Sequence, residues 1–525
     1  MAAVSIKALS FWYPGEDTAA LRAISLEIAA GEMVLLAGMT GSGKTTLLRS
    51  LKPEVAPAGR REGGIRVDAA SDEIRPSQVG YVAQHPDNQL VMDSVWHELA
   101  FGLENEGLPA PVIRRRLAET AAFFGMEDWL EKKVYDLSGG QKQLLNLAAV
   151  MVMQPSVLIM DEPTAQLDPI AAREFWQMAT RIRDELGVTV ILSEHQLEDV
   201  LSLCDRMLVI GDGALTDDGS PRDVALSLLE RNDPLAGALP AATRLAYRLG
   251  ERTHLPLTIR EGQQWLAERP AKVRKCAAAE PAPRRQEPGL LARELWFRYD
   301  RQEDFVIRGL SLRIYPGEIH ALFGGNGSGK STLLHLLGGI DRPGRGKVVR
   351  DQNLRIGLLP QNPQTLFVAD TLWEDLRDGQ TEAGFTDADI RHWLERMGMG
   401  RLTGRHPYDL SGGEQQKAAF IKVMLRRPDI LLLDEPTKGM DAAARQQLAR
   451  IFMELKAQGR AILLSTHDLP FAAAVADACS LLQSGEVACT ERGKAFFTGN
   501  LFYTPPLCRL TRGWADGCVT WEDLP

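Results

Sequence analysis

The chain has 525 residues, 45% hydrophobic and 25% charged, with a formal net charge of −9. Such a length suggests about three or four domains, and the acidic balance gives no sign of a nucleic-acid surface. No stretch approaches the roughly 18 to 20 consecutive apolar residues of a membrane span. The N-terminus, MAAVSIKALSFWYPGED, has no basic region followed by an apolar block, so no secretory signal is expected. Cys204, Cys276, Cys479, Cys489, Cys508 and Cys518 form no C-x-x-C, which points to reduced thiols rather than a metal site or disulfide scaffold.

Alternation of apolar and polar residues from Val4 to Tyr13 and from Leu21 to Ile28 predicts short antiparallel strands. Tyr13 fits either a platform for stacking on a base or a half-exposed strand tyrosine. The apolar run Met33 to Ala37 predicts a buried strand, and Thr45 to Leu51 the start of a helix. Between them GMTGSGKTT, Gly38 to Thr46, fits G-x-x-x-x-G-K-[ST], a phosphate-binding loop in the strand-to-helix context that such a loop requires. Gly38, Gly41 and Gly43 would let backbone N–H groups turn inward around phosphate oxygens, with Thr40, Ser42 and Thr46 beside them. The helix N-terminus adds partial positive charge, Lys44 a point charge for the terminal phosphates, and the Thr45 hydroxyl a ligand for Mg²⁺.

A Pro- and Gly-bearing region, Pro53 to Gly64, then precedes a predicted strand, Val79 to Ala83, which ends in Gln84. From there Gln84 could reach a metal-bound water. Apolar spacing from Ala110 to Val134 is helical, predicting a small helical subdomain. It leads into DLSGGQKQ, where Ser138, Gly139, Gly140 and Gln141 open another helix and offer a second anion site at its free amides. VLIMDEPT follows: a buried strand running into Asp161 and Glu162 puts both carboxylates at a sheet's C-terminal edge, where open α/β sheets bind ligands. Asp161 suits Mg²⁺, and Glu162 is placed to polarise an attacking water. A helix, Ala171 to Glu185, and a strand, Val188 to Leu192, lead to His195, a candidate for holding the γ-phosphate and that water.

The whole series then recurs. GGNGSGKST repeats the loop as Gly324, Asn326, Gly327, Ser328, Gly329, Lys330, Ser331 and Thr332. Gln361 repeats Gln84, and LSGGEQQK repeats the helix start as Ser411, Gly412, Gly413 and Glu414. Asp434 and Glu435 repeat the carboxylates, with Asp434 and Ser331 on the metal side; His467 closes the set and Tyr299 matches Tyr13. The offset shrinks from 286 positions at the lysines to 272 at the histidines, as a duplicated domain with a few short deletions requires.

With these motifs in hand, nearly all of the chain resembles a tandem pair of ATP-binding cassettes, the nucleotide-hydrolysing domains of ABC transporters. Gly38 to Thr45 and Gly324 to Ser331 match the Walker A motif, Gln84 and Gln361 the Q-loop, Leu137 to Gln141 and Leu410 to Glu414 the signature. Asp161/Glu162 and Asp434/Glu435 match Walker B with its catalytic glutamate, Asp168 and Asp441 the D-loop, His195 and His467 the switch histidine, Tyr13 and Tyr299 the adenine-stacking aromatic. Gln-x-Pro-x-x-Gln at Gln84 to Gln89, ELAFG at Glu98 to Gly102 and EPTKGMD at Glu435 to Asp441 are similar to ATPases of energy-coupling factor (ECF) importers. Among these the fused pair looks most like those assigned to thiamine-precursor (hydroxymethylpyrimidine) uptake.

The resemblance implies an α/β fold of two tandem P-loop ATPase domains, each with an antiparallel β subdomain and a helical subdomain. It divides the chain into a first cassette (1–235), its helical appendage (236–269), a Pro/Ala/charged linker (270–288), a second cassette (289–500) and a C-terminal segment (501–525). It implies ATP and Mg²⁺ as cofactors, with catalysis by Glu162, Glu435, His195, His467, Gln84 and Gln361, and metal contacts from Thr45, Gln84, Asp161, Ser331, Gln361 and Asp434. The expected partners are an integral membrane coupling protein and a substrate-binding membrane protein at the cytoplasmic face of the cell membrane. No nucleic acid is expected, and no obligatory homodimer, because both cassettes share one chain. The competing readings are a soluble double-cassette ATPase acting on ribosomes or nucleic acid, for which a long charged helical insert between cassettes is expected, a sugar-importer ATPase, for which a degraded second loop is expected, and a non-hydrolysing scaffold, against which both carboxylate pairs count.

Overall fold

A computed structural model describes every residue except Met1, 68–73, Gln166, 270–286, Gln352 and Pro525. Most of the expected linker, 270–288, therefore lies outside the described residues. The chain divides into two compact units, Met1–Thr258 and Ile259–Pro525.

The first unit begins with β1 (Ala2–Trp12), β2 (Leu21–Ala29) and β3 (Met33–Ala37), followed by α1 (Lys44–Ser50), β4 (Arg60–Val67) and β5 (Val79–Val82). Strands β2, β1 and β4 form an antiparallel sheet in that order. Helices α2 (Val95–Asn105), α3 (Ala110–Phe124) and α4 (Gly139–Met151) make the helical subdomain. The chain continues through β6 (Val157–Asp161), α5 (Pro169–Leu186), β7 (Thr189–Ser193), β8 (Arg206–Gly211), β9 (Ala214–Gly219), α6 (Pro221–Glu230) and α7 (Ala241–Arg248). A second sheet runs β5-β6-β7-β3-β8-β9, parallel from β5 to β8 and closed by an antiparallel hairpin.

Both faces of the parallel part of this sheet are covered, which is why those strands are continuous apolar runs rather than alternating ones. All five residues of β3 are buried. Val34 and Leu36 join a core with β1, β2 and α1, whereas Met33, Leu35 and Ala37 join one with α2, α4 and α5. On α5 the residues Phe175, Trp176, Ala179 and Ile182 recur at helical spacing and are the buried ones.

The second unit repeats the plan. It holds α8 (Ile259–Ala267), β10 (Leu290–Phe297), β11 (Ile307–Ile314), β12 (Ile319–Phe323), α9 (Lys330–Gly338), β13 (Arg345–Arg350), β14 (Ile356–Leu359), α10 (Leu372–Arg377), α11 (Gln380–Ala383) and α12 (Asp387–Arg396). Then follow α13 (Gly412–Leu425), β15 (Ile430–Asp434), α14 (Ala442–Ala457), β16 (Ala461–Ser465), α15 (Leu469–Val475), β17 (Ala478–Gln483), β18 (Glu486–Arg492), α16 (Gly493–Gly499) and α17 (Pro506–Thr511). Its sheets, β11-β10-β13 and β14-β15-β16-β12-β17-β18, have the order of the first pair. The tandem α/β architecture expected from the repeat is the architecture observed.

One placement differs from the even partition of the motifs. Helix α8, expected within the first half's appendage, groups with the second unit, where Gln263 Nε2 donates to the Arg509 carbonyl of α17 at 2.9 Å. Among the described residues, no helix is long and apolar enough to cross a membrane. Because Phe175 is fully buried between α5 and the sheet, Phe175→Ala is expected to destabilise the first unit by about 3 to 5 kcal/mol, measured by denaturant unfolding. Leu186→Ala, at a 53% exposed position on the same helix, is expected to stay within about 0.5 kcal/mol.

Candidate functional site

Three adjacent parallel strands deliver the expected residues to one edge. The loop leaves the end of β3, Asp161 is the last residue of β6, and Ser193 ends β7 in register with Asp161. The loop turns through left-handed glycines: Gly43, with φ +105°, caps α1, and a Cβ there would lie 2.7 Å from the Ala20 carbonyl. Its counterpart Gly329 has φ +100° and caps α9. Lys44 folds back over the loop, donating to the Gly38 and Met39 carbonyls at 2.8 and 3.1 Å, and Lys330 does the same with Gly324 and Gly325 at 2.9 and 3.1 Å. The buried hydroxyls of Ser42 and Ser328 have no hydrogen-bond partner. A loop of inward amides, an ammonium and an unpartnered buried hydroxyl is chemistry suited to a phosphate chain.

Tyr13 shares a hydrogen bond with Thr46 Oγ1 at 2.8 Å, and Tyr299 one with Thr332 Oγ1 at 2.9 Å. Each ring is thereby tied to its own loop while remaining 38% and 61% exposed, leaving a face for a flat base.

Thr45 Oγ1 donates to Asp161 Oδ1 at 3.2 Å, and Asp161 also accepts from Ser193 Oγ at 2.7 Å and Tyr81 Oη at 3.0 Å. Burial, with the neighbouring Glu162 charge, pushes the Asp161 carboxyl above its ordinary value. A hydroxyl beside a buried carboxylate is a hard-oxygen pair that fits Mg²⁺ and that a cation would relieve. No group of three or more His, Cys, Asp or Glu suited to a metal occurs among the described residues, so a cation here would depend on phosphate and water oxygens as well. In the second unit Ser465 Oγ donates to Asp434 Oδ1 in the same way.

Glu162 and Glu435 both adopt left-handed backbone, φ +48° and +50°, a conformation that costs a residue with a side chain roughly 1 to 3 kcal/mol and that recurs at functional sites. Each is held there by its amide, which donates to the carbonyl and hydroxyl of Ser193 or Ser465 across the sheet. The side chains differ. Glu162 accepts from Gln84 Nε2 at 2.9 Å, and its other oxygen lies 2.7 Å from His195 Nε2. Burial opposes its ionisation, but the imidazole beside it leaves the carboxyl below its ordinary value. Glu435 Oε1 lies 3.5 Å from His467 Nε2 and makes no hydrogen bond; Gln361 is exposed. Burial, then the Asp434 charge, pushes Glu435 up to about 7.

The helix starts also form as expected. Ser138 and Gln141 close a capping box on α4, and Ser411 and Glu414 one on α13. Both serines are exposed in their own units. Asp168 and Asp441 cap α5 and α14, accepting from Ala171 and Ala444 amides at 2.9 Å.

Sequence reasoning missed Ser193 and Tyr81. The serine was discoverable, because Ser465 stands likewise two places before the second histidine. Tyr81 has no such signal, since Leu358 is its counterpart. Glu194 is buried, and burial pushes its carboxyl up to about 7, with the Glu162 charge adding and the Thr164 hydrogen bond and His195 subtracting.

A carboxyl raised on folding binds its proton more tightly in the folded state. Its contribution to stability is full below an unfolded value of about 4.3 and is lost as pH rises through about 7, a span of roughly 4 kcal/mol. The nucleotide-free Glu194→Gln variant, which has no such group, is therefore expected to gain in thermal midpoint over the parent between pH 5 and pH 8, measured by scanning calorimetry.

The family model described as ABC transporter matches residues 21–165 and 307–438. A Bacillus thuringiensis protein provisionally named an ABC transporter ATP-binding protein is 41% identical over 100% of this chain and 98% of its own length. A Bacillus subtilis protein, provisionally named HMP/thiamine import ATP-binding protein YkoD, is 31% identical over 92% of this chain and 90% of its own. Among solved structures, an archaeal ribosome recycling factor, aABCE1, in complex with the stalk protein aP1 aligns with a TM-score of 0.59 at 20% identity, covering 94% of this chain and 91% of that one. That identity speaks for the fold alone. Two intact loops, two carboxylate pairs and two signature helices in one chain, matched along its whole length, place this protein in the ABC transporter ATP-binding family as a double-cassette ATPase.

Proposed function

We propose that the two cassettes close head to tail on two ATP molecules and that their hydrolysis drives solute import through partner membrane proteins. The observation that supports this reading is that each unit presents two distinct features suited to an anion. One is the loop with its carboxylates at the sheet edge; the other is an exposed helix start at Ser138 or Ser411. One site then comprises Lys44, Thr45, Gln84, Asp161, Glu162 and His195 with Ser411 and Gly413. The other comprises Lys330, Ser331, Gln361, Asp434, Glu435 and His467 with Ser138 and Gly140.

In this reading the loop amides and lysine orient the phosphates, and Tyr13 or Tyr299 takes the base. Magnesium would be held by Thr45, Asp161 and Gln84, or by Ser331, Asp434 and Gln361, and when bound supplies charge neutralisation on the phosphates. Glu162 and Glu435 orient and accept a proton from the attacking water, while His195 and His467 hold that carboxylate and the terminal phosphate. The signature amides add hydrogen bonds as the negative charge shifts.

Import of the ECF type, for a vitamin, a vitamin precursor or a metal ion, is supported by the relationship to the Bacillus subtilis import protein and by the Gln84–Gln89 segment. Beside it Val91, Trp96 and Phe101 are exposed apolar residues, suited to receiving a helix of a membrane partner. The coupling protein and the substrate-binding protein would keep this chain at the cytoplasmic face of the cell membrane.

Glu162→Gln with Glu435→Gln is expected to lower steady-state ATP turnover by a factor on the order of 100 or more, each single change leaving a measurable residue. Turnover near the parent's in the double variant overturns the assignment of these carboxylates. Affinity purification of the full chain from detergent-solubilised membranes is expected to bring down two small integral membrane proteins; ribosomes in their place contradict the import reading.

A further inference from the structure

The duplication supplies an internal control for one buried group outside the motif set. Glu194 precedes His195 in the first copy, whereas Thr466 precedes His467 in the second. The Glu194 side chain is buried, and both its oxygens are used. One accepts from the Thr164 hydroxyl at 2.5 Å and the Thr164 amide at 3.2 Å; the other accepts from the His195 amide at 3.1 Å. A single carboxyl thus ties the segment just after Glu162 to the segment carrying the histidine.

The second copy shows where the same backbone donor goes without that carboxyl. The His467 amide donates to Glu435 Oε2 at 3.2 Å, so the carboxylate is drawn to the backbone. Its imidazole contact lengthens to 3.5 Å, against 2.7 Å in the first copy. In the first copy the amide is occupied by Glu194, and the Glu162 carboxylate is left to the His195 ring and Gln84.

We propose that Glu194 is a positioning residue of the first ATP site: by capturing the His195 amide and the Thr164 hydroxyl, it keeps the Glu162 carboxylate against the His195 ring and Gln84. The two sites of this chain are thereby unequal in construction although both carry a full motif set. The inference rests on the reading of Glu162 as the group that orients the water.

The test is single-site turnover in a Glu435→Gln background, where the first site alone hydrolyses. Glu194→Thr, which installs the residue of the second copy, is expected to lower kcat on the order of tenfold with KM for ATP within about twofold, because ATP is held by the loop and not by this carboxyl. Glu194→Gln has the same length and keeps an oxygen acceptor for the His195 amide and a donor for the Thr164 hydroxyl, losing only the longer contact with the Thr164 amide, so it is expected to retain kcat within about threefold. Thr164→Val, which removes the donor at the other end, is expected to lower kcat in the same direction and keeps the test open should Glu194→Thr fail to fold. Parent-like kcat in Glu194→Thr or Thr164→Val, or a loss shared equally by Thr and Gln at position 194, overturns the proposal. Parallel measurement of Glu162→Gln separates the two readings: if Glu162→Gln abolishes turnover while Glu194→Thr does not, only the positioning role fails.

Discussion

The site depends on one constraint, the forced change of direction at the end of a strand that is buried on both faces. Val157–Asp161 has no exposed residue, so the first polar group it can present is at its C-terminal end. There the Glu162 amide is held by the carbonyl and hydroxyl of Ser193, in left-handed backbone, and the side chain turns toward the edge where the loop lies. The second unit repeats the arrangement with Glu435 and Ser465. Since strand β3 is two strands away in the same parallel sheet, the loop, the carboxylate pair and the histidine share an edge without any long side chain having to reach.

That constraint explains which parts of the fold were readable from the residues. Fully buried parallel strands have to be uninterrupted apolar runs, so Met33–Ala37 and Val157–Asp161 stand out, and the motif residues follow them directly. Strand β4 was missed because RREGGIRV is almost wholly exposed and bears two glycines; what makes it a strand is its pairing with β1, which lies far away in sequence. The hairpin of β8 and β9 escaped for a similar reason, β9 being TDD-bearing and largely half-exposed. Helix α8 carries a clear amphipathic pattern, yet its partner, α17, lies about 240 residues further on, and no local signal names that partner.

Within the site, duplication did the work that a single motif could not. Glycine loops and isolated histidines are ambiguous alone, and their recurrence in one order removes the ambiguity. Recurrence also hides what is particular to each copy. Gln84 touches Glu162 whereas Gln361 is exposed, and Gln89, which bonds the Ala83 amide and the Tyr81 carbonyl, is replaced by Leu366. Buried ion pairing differs too: Lys422 joins Asp375 at 3.1 Å in the second unit, at a place where the first has Ala149. The motif residues recur in both copies while their contacts and neighbours differ, so two sites with the same motif set need not have the same chemistry.

The proposed function requires that neither loop complete a site with its own unit's signature. It is tested most directly by placing cysteines at Thr40 in the first loop and Ser411 in the second signature, in a chain also carrying Glu162→Gln and Glu435→Gln so that ATP is retained. The account predicts a Thr40→Cys to Ser411→Cys disulfide, identified by mass spectrometry of the linked peptides, that forms on mild oxidation with Mg²⁺ and ATP and is lost when ATP is omitted. Absence of that linkage with ATP bound, together with a Thr40→Cys to Ser138→Cys linkage in a companion chain carrying that pair instead, would contradict it.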